Sequence, residues 1–152
     1  MEYNIIEELG SGGNATVYKI QTKDNKIIAL KKLHKNANSE KKSRFRDEID
    51  VIKQNHKEID GIIPIIWSSK HRLEYTMPIA KPIYDHIKEQ KSEPREIVLG
   101  IIDICNTLSK LHTKNIAHRD IKPSNLYFYN GRYYIGDFGL VDLPDGKNNY
   151  TR

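Results

Sequence analysis

Two short runs in the last third of the chain restrict its fold more than any other feature: His-Arg-Asp-Ile-Lys-Pro-Ser-Asn at residues 118–125 and Asp-Phe-Gly at 137–139. Asn125 follows Asp120 by five residues, and Asp137 follows Asn125 by twelve. Between the runs, Asn130-Gly131 separates two aromatic-rich halves of residues 126–135. A two-residue hairpin turn needs positive φ at both positions, which Asn and Gly tolerate, so this stretch predicts a β-hairpin. A hairpin brings the chain back to where it started. It sets Asp137 beside the loop that carries Asp120 and Asn125, gathering two carboxylates and a carboxamide. Such a set of fixed identities at fixed spacing recurs by chance on the order of once per billion windows.

The first eighty residues read as strand-rich. Tyr3–Leu9 and Thr16–Gln21 flank a glycine-rich turn, and Lys26–Leu33 follows through Asp24-Asn25. Ile62–Ser68 and Leu73–Met77 read as two further strands. Residues 40–55 switch to helical period, with Phe45, Ile49 and Ile52 at i, i+4 and i+7 and Ser39 as the expected N-cap. Beyond Pro78 the pattern predicts helices at Pro82–Gln90 and Pro94–Thr113, the second with proline in its first turn. The change of character near residue 80 predicts an α+β protein of two units, 1–80 and 81–152, with any ligand between them.

Four segments carry a resemblance. They are Gly10-Ser11-Gly12-Gly13-Asn14-Ala15 with Val17 beyond, Ile28-Ala29-Leu30-Lys31, the run at 118–125, and Asp137-Phe138-Gly139. Together they resemble the eukaryotic-like (Hanks-type) serine/threonine protein kinases over essentially the whole chain. The resemblance implies a five-stranded antiparallel N-lobe with one helix, followed by the first, mainly helical part of a C-lobe. It implies ATP and Mg2+ as cofactors and a protein hydroxyl as phosphate acceptor.

Residue by residue, the resemblance places Gly10, Gly12 and Gly13 over the phosphates, with Ala15 where a third glycine is usual. Val17 and Ala29 lie above the adenine, Met77 to Ala80 form the hinge at its edge, and Tyr127 lies beneath, where an aliphatic residue is more usual. Lys31 contacts the α- and β-phosphates and needs a carboxylate from the helix. Glu48 is the candidate because it shares the inward face with Phe45 and Ile52, whereas strand alternation sends Lys32 to the opposite side. Asp120 takes the proton of the substrate hydroxyl or orients that hydroxyl, and Lys122 reaches the transferred phosphate as in serine/threonine kinases. Asn125 and Asp137 hold magnesium. Arg119 pairs with a phosphate on the activation segment, for which Thr151 is the first candidate and Ser124 and Tyr150 the weaker ones. His118 and Phe138 read as packing residues.

Composition narrows the alternatives. Among 152 residues, 38% are apolar and 30% charged, and the net charge is +5. The basic residues concentrate at 31–46, where a solvated loop leading into a helix explains them; with no accompanying motif, nucleic acid is not expected as a partner. No apolar run approaches the roughly 18–20 residues of a membrane span. The single cysteine, Cys105, fits a reducing compartment, so a cytoplasmic protein is expected. The six histidines and one cysteine show no zinc-site spacing.

The sequence stops at Arg152, before the Ala-Pro-Glu element of the kinases. The helix at 94–113 is apolar on most sides, so it is expected to be covered by self-association or by a partner chain. Two rival functions stand beside the protein kinase: a nucleotide-binding regulatory or partner-dependent module without independent activity, and a small-molecule phosphotransferase of related fold.

Overall fold

The computed structural model describes residues 1–143. Strands β1 (Tyr3–Ser11), β2 (Ala15–Thr22), β3 (Ile27–Leu33), β4 (Trp67–Ser69) and β5 (Glu74–Met77) form one antiparallel sheet in the order β1-β2-β3-β5-β4. Register decides what each face carries. Val17 pairs with Lys31, Lys31 with Tyr75, and Ala29 with Met77, so these residues share one face. The other face holds a small separate core of Ile20, Ile28 and Leu30, joined by Tyr3 and Tyr18.

Helix α1 (Ser39–Asn55) covers the Lys31 face and buries Phe45, Glu48, Ile49, Val51 and Ile52. Its N-cap is Asn38 rather than the expected Ser39. The Asn38 side chain accepts the Lys41 N–H at 2.9 Å from an extended backbone, and Ser39 is already helical. The strand expected at 62–68 shrinks to Trp67–Ser69. Pro64 has no N–H for a ladder, and Ile62 and Ile65 pack into the main core instead, with Ile63 also buried. Ile62 makes one parallel bridge to Ile135, whose carbonyl accepts the Ile63 N–H at 3.0 Å.

A second sheet, β6-β7-β8, comprises β6 (Lys81–Pro82), β7 (Leu126–Tyr129) and β8 (Arg132–Ile135). The turn between β7 and β8 has φ of 48° at Asn130 and 82° at Gly131, the left-handed pair that the sequence demanded. Pro82 closes β6 and precedes α2 (Ile83–Gln90), so that helix starts one residue later than expected. The bridge from Ile62 to Ile135 and the burial of both residues join the two sheets through one core.

Helix α3 (Pro94–Thr113) opens with a reciprocal capping box between Glu93 and Glu96. It buries a narrow stripe, Gly100, Ile104, Thr107 and Leu111, against the rest of the chain. Val98, Leu99, Ile101 and Ile102, outside that stripe, are each about half exposed among the described residues. No helix among those residues is long and apolar enough to cross a membrane. The two faces predict unequal costs of truncation. Ile104→Ala should lower the unfolding free energy by about 2–5 kcal/mol, and Ile101→Ala by roughly 0.5 kcal/mol or less. Equal losses in denaturant titrations would contradict this placement of α3.

Candidate functional site

The site forms where the face of the first sheet meets the loop after α3. Lys31 extends from β3 into a pocket closed by α1. Its Nζ donates to Glu48 Oε1 at 2.7 Å and to Asp137 Oδ1 at 3.0 Å. Glu48 is buried, and its Oε1 also accepts the Tyr75 hydroxyl at 2.9 Å. Two of the other carboxylates of α1 are engaged elsewhere, Glu40 with Arg44 and Asp50 with Lys70. Lys32, one residue along, reaches Glu74 on the opposite side of the sheet at 3.4 Å.

Charge and burial compete at this cluster. Burial opposes the Lys31 ammonium, but Glu48, Tyr75 and Asp137 outweigh it and hold the lysine protonated well above its ordinary range. Burial likewise resists ionisation of Asp137; Lys31 prevails, and the carboxyl sits below its usual range. At Glu48 the order reverses, and burial lifts the carboxyl above its ordinary value against the pull of Lys31. The Tyr75 phenol is pushed well up by burial, then by the Glu48 carboxylate, so it stays a donor.

The second half of the site is the loop from Ala117 to Asn125. Its base is fixed by a two-way backbone pair between Ala117 and Asp142, with N–H···O distances of 3.1 and 2.8 Å. Asn125, at the end of a short 3-10 turn, donates from Nδ2 to the Asp120 carbonyl at 2.8 Å and to Asp120 Oδ2 at 2.9 Å. Lys122 Nζ lies 2.8 Å from the same Oδ2. Asp120 therefore has one oxygen held twice, while Oδ1 makes none of these bonds. Arg119 and Asp137 both adopt positive φ, 63° and 59°, an uncommon state for residues with a side chain. Each is held in place by an ion pair, Arg119 with Asp142 at 2.5 Å and Asp137 with Lys31.

His118 is buried between these parts. Its Nδ1 accepts the Asp120 N–H at 3.3 Å, and its Nε2 lies 3.1 Å from the Gly136 carbonyl. A carbonyl only accepts and an N–H only donates, so the ring is neutral with its proton on Nε2. Phe138 is fully buried, edge-on to this ring at 4.6 Å between centroids.

Three of the residues expected around the base lie along one wall. Val17, Ala29 and Met77 share the face of Lys31, and the chain runs from Met77 through Ala80 into β6. Tyr127, on β7, packs its ring on Gly136; a Cβ there would come within 2.8 Å of Tyr127 Cε2. Gly136 is thus the space that admits a tyrosine. Burial raises the Tyr127 phenol, with the charges of Lys31, Asp137 and Glu48 also acting on it. At the other end, the glycine-rich turn is tied to β3: Asn14 O accepts the His34 N–H at 2.9 Å, and Thr16 Oγ1 lies 3.0 Å from His34 Nε2. A Cβ at Gly10 or Gly13 would meet no atom within 4 Å, so contacts within the protein do not require glycine there.

Sequence reasoning missed Tyr75, Asp142 and Gly136. Tyr75 was accessible through pairing of the 73–77 strand opposite Lys31; Asp142 and Gly136 belong to no periodic pattern. Thr151 and Tyr150 lie outside the described residues, and Ser124 is exposed. The donor set fits a hard cation shared with phosphates. Asn125 bonds through Nδ2, leaving its carbonyl oxygen, and the Asp137 carboxylate is 41% exposed. No cluster of three His, Cys, Asp or Glu among the described residues forms a metal cage of its own. Two protein oxygens with the remainder from water and phosphate is the pattern of Mg2+ rather than of a structural metal.

The state of His118 sets a pH dependence. Burial, the largest influence, lowers its pKa below 6.5, so the unfolded chain takes up the proton first. Stability present above the unfolded value is lost as pH falls through it toward the lowered folded one. The fall in unfolding free energy between about pH 7 and pH 5 should be shallower in His118→Gln than in the wild type. Identical slopes would show that His118 is not buried neutral.

Residues 3–152 match the family described as Protein kinase domain. The chain is 33% identical over 155 residues to the "Probable serine/threonine-protein kinase fhkA" of Dictyostelium discoideum, covering 92% of this chain and 26% of that protein. It is 29% identical over 153 residues to the calcium/calmodulin-dependent protein kinase type 1B of Rattus norvegicus, covering 95% and 45%. With a Wee1-like protein kinase of Oryza sativa it shares 27% identity over 148 residues, covering 95% and 28%. The chain thus spans less than half the length of each of these relatives. On the strength of the family match along nearly its whole length, the chain belongs to the protein kinase family.

Proposed function

We propose that this chain carries the nucleotide-binding and catalytic-loop portion of a serine/threonine protein kinase, using Mg-ATP and a protein hydroxyl as acceptor. The observation that carries the reading is Lys31, held between Glu48 and Asp137 while Asp120 is aimed by Asn125 and Lys122. In this reading residues 1–80 form the N-lobe and 81–152 the beginning of the C-lobe. A free, exposed Cys105 is what a reducing, cytoplasmic setting would keep as a thiol.

Each task falls to a named group. Mg-ATP, when bound, supplies the transferable phosphoryl group and neutralises charge on it. Gly10, Gly12 and Gly13 let the turn between β1 and β2 lie close over phosphate oxygens. Val17, Ala29, Met77, Ala80 and Tyr127 enclose the base. Lys31 contacts phosphate from a fixed position because Glu48 holds it. Asp137 and Asn125 provide the oxygen ligands for Mg2+. Asp120 takes the proton of the acceptor hydroxyl on the oxygen that its neighbours leave open. Lys122, two residues on, balances negative charge at the transferred group, and its spacing favours serine or threonine as acceptor.

These roles separate by mutation. In a form of the protein that transfers phosphate, Asp120→Asn should cut kcat by about 100-fold or more and leave nucleotide affinity nearly unchanged. Asp137→Asn should instead weaken the Mg2+ dependence of nucleotide binding, by roughly tenfold. Initial rates and fluorescence titrations distinguish the two. Retention of most activity by Asp120→Asn would overturn the assignment of the catalytic loop.

A further inference from the structure

Tyr75 stands outside every sequence motif of the chain, yet three elements meet at it. It faces Lys31 directly in the β3–β5 register and is 2% exposed. Its hydroxyl donates to Glu48 Oε1 at 2.9 Å, the same oxygen that receives Lys31 Nζ at 2.7 Å. Its ring lies 5.5 Å from the Phe45 ring on α1 and 5.8 Å from the Lys31 ammonium.

A phenylalanine would fill the same volume and meet Phe45 in the same way. What the hydroxyl adds is one bond to a buried carboxylate. A buried carboxylate on a helix keeps a single geometry when its lone pairs are satisfied, and an incompletely satisfied one is costly. Lys31 alone is a poor anchor for it. Its four-carbon stem is flexible, and its ammonium is already divided between Glu48 and Asp137. The phenol has two side-chain torsions and grows from the rigid central part of the sheet, so it fixes the point at which the carboxylate sits. The bond therefore ties α1 to β5, and through Glu48 it sets the reach of Lys31.

We propose that Tyr75 is a positioning residue for phosphate binding: its hydroxyl holds Glu48, and Glu48 in turn holds Lys31, before nucleotide arrives. This inference rests on the reading of Lys31 as the phosphate contact. It makes a distinction that simple packing does not, because a lysine out of position affects only ligands that have phosphates.

The test compares ATP with adenosine on the whole chain. Binding of a fluorescent ATP analogue with Mg2+, and its displacement by ATP or by adenosine, are measured for wild type and Tyr75→Phe. Melting curves verify that both are folded at the working temperature. The variant is expected to bind ATP about tenfold more weakly, the worth of a hydrogen bond to a charged group, and to bind adenosine within about twofold of wild type. A loss shared equally by adenosine would assign Tyr75 to packing of the pocket and overturn the proposal. So would unchanged ATP affinity in a variant whose wild-type parent binds ATP. A wild type that binds no nucleotide at all would overturn the proposed function and this inference together.

Discussion

The Glu48 carboxylate is the point on which the described structure depends. It is a buried anion that receives one bond from the sheet through Lys31 and another through Tyr75. Removing a carboxylate from water costs several kcal/mol, and only well-placed partners offset that. Breaking such a pair by deleting one member leaves an uncompensated buried charge, typically worth about 3–5 kcal/mol. The arrangement therefore contributes specificity more than net stability: α1 has one seat on the sheet in which Lys31 and Tyr75 both reach Glu48 Oε1.

From that seat the order extends to the second sheet. Lys31 reaches Asp137, whose positive φ turns the chain immediately after β8. Gly136 and His118 share a hydrogen bond at this turn, and His118 in turn accepts the Asp120 N–H. A continuous path of short polar contacts thus runs from the helix to the loop that carries the proposed proton acceptor. The path lies over an apolar base of Ile62, Ile135 and Phe138, each at most 2% exposed. Polar groups set the geometry, and the packed residues beneath prevent it from relaxing.

Much of this was legible in the chain. The Asn130-Gly131 turn announced the hairpin, because few residue pairs accept its backbone. Helical period put Glu48 on the inward face with Phe45 and Ile52, and strand alternation separated Lys31 from Lys32. Less legible were features decided by tertiary context. The isoleucines at 62, 63 and 65 look like a strand, but Pro64 and the demand of the core draw them out of the ladder. Asn38 and Ser39 are both good caps, and only the backbone at 38 chooses between them. Tyr75 reads as an ordinary strand aromatic until its cross-strand neighbour is known. Asp142 pairs with Arg119 through chain reversal after Phe138, a geometry that no periodicity encodes.

The central claim is that the Lys31 ammonium is placed to receive a phosphate together with Mg2+. Calorimetric titration of ATP into wild type and Lys31→Met, each with Mg2+ and with chelator, addresses it directly. Wild type should bind ATP with Mg2+ and lose much of that affinity with chelator, and Lys31→Met should bind at least about tenfold more weakly under both conditions. Equal affinities for the two proteins, with both folded, would contradict the account.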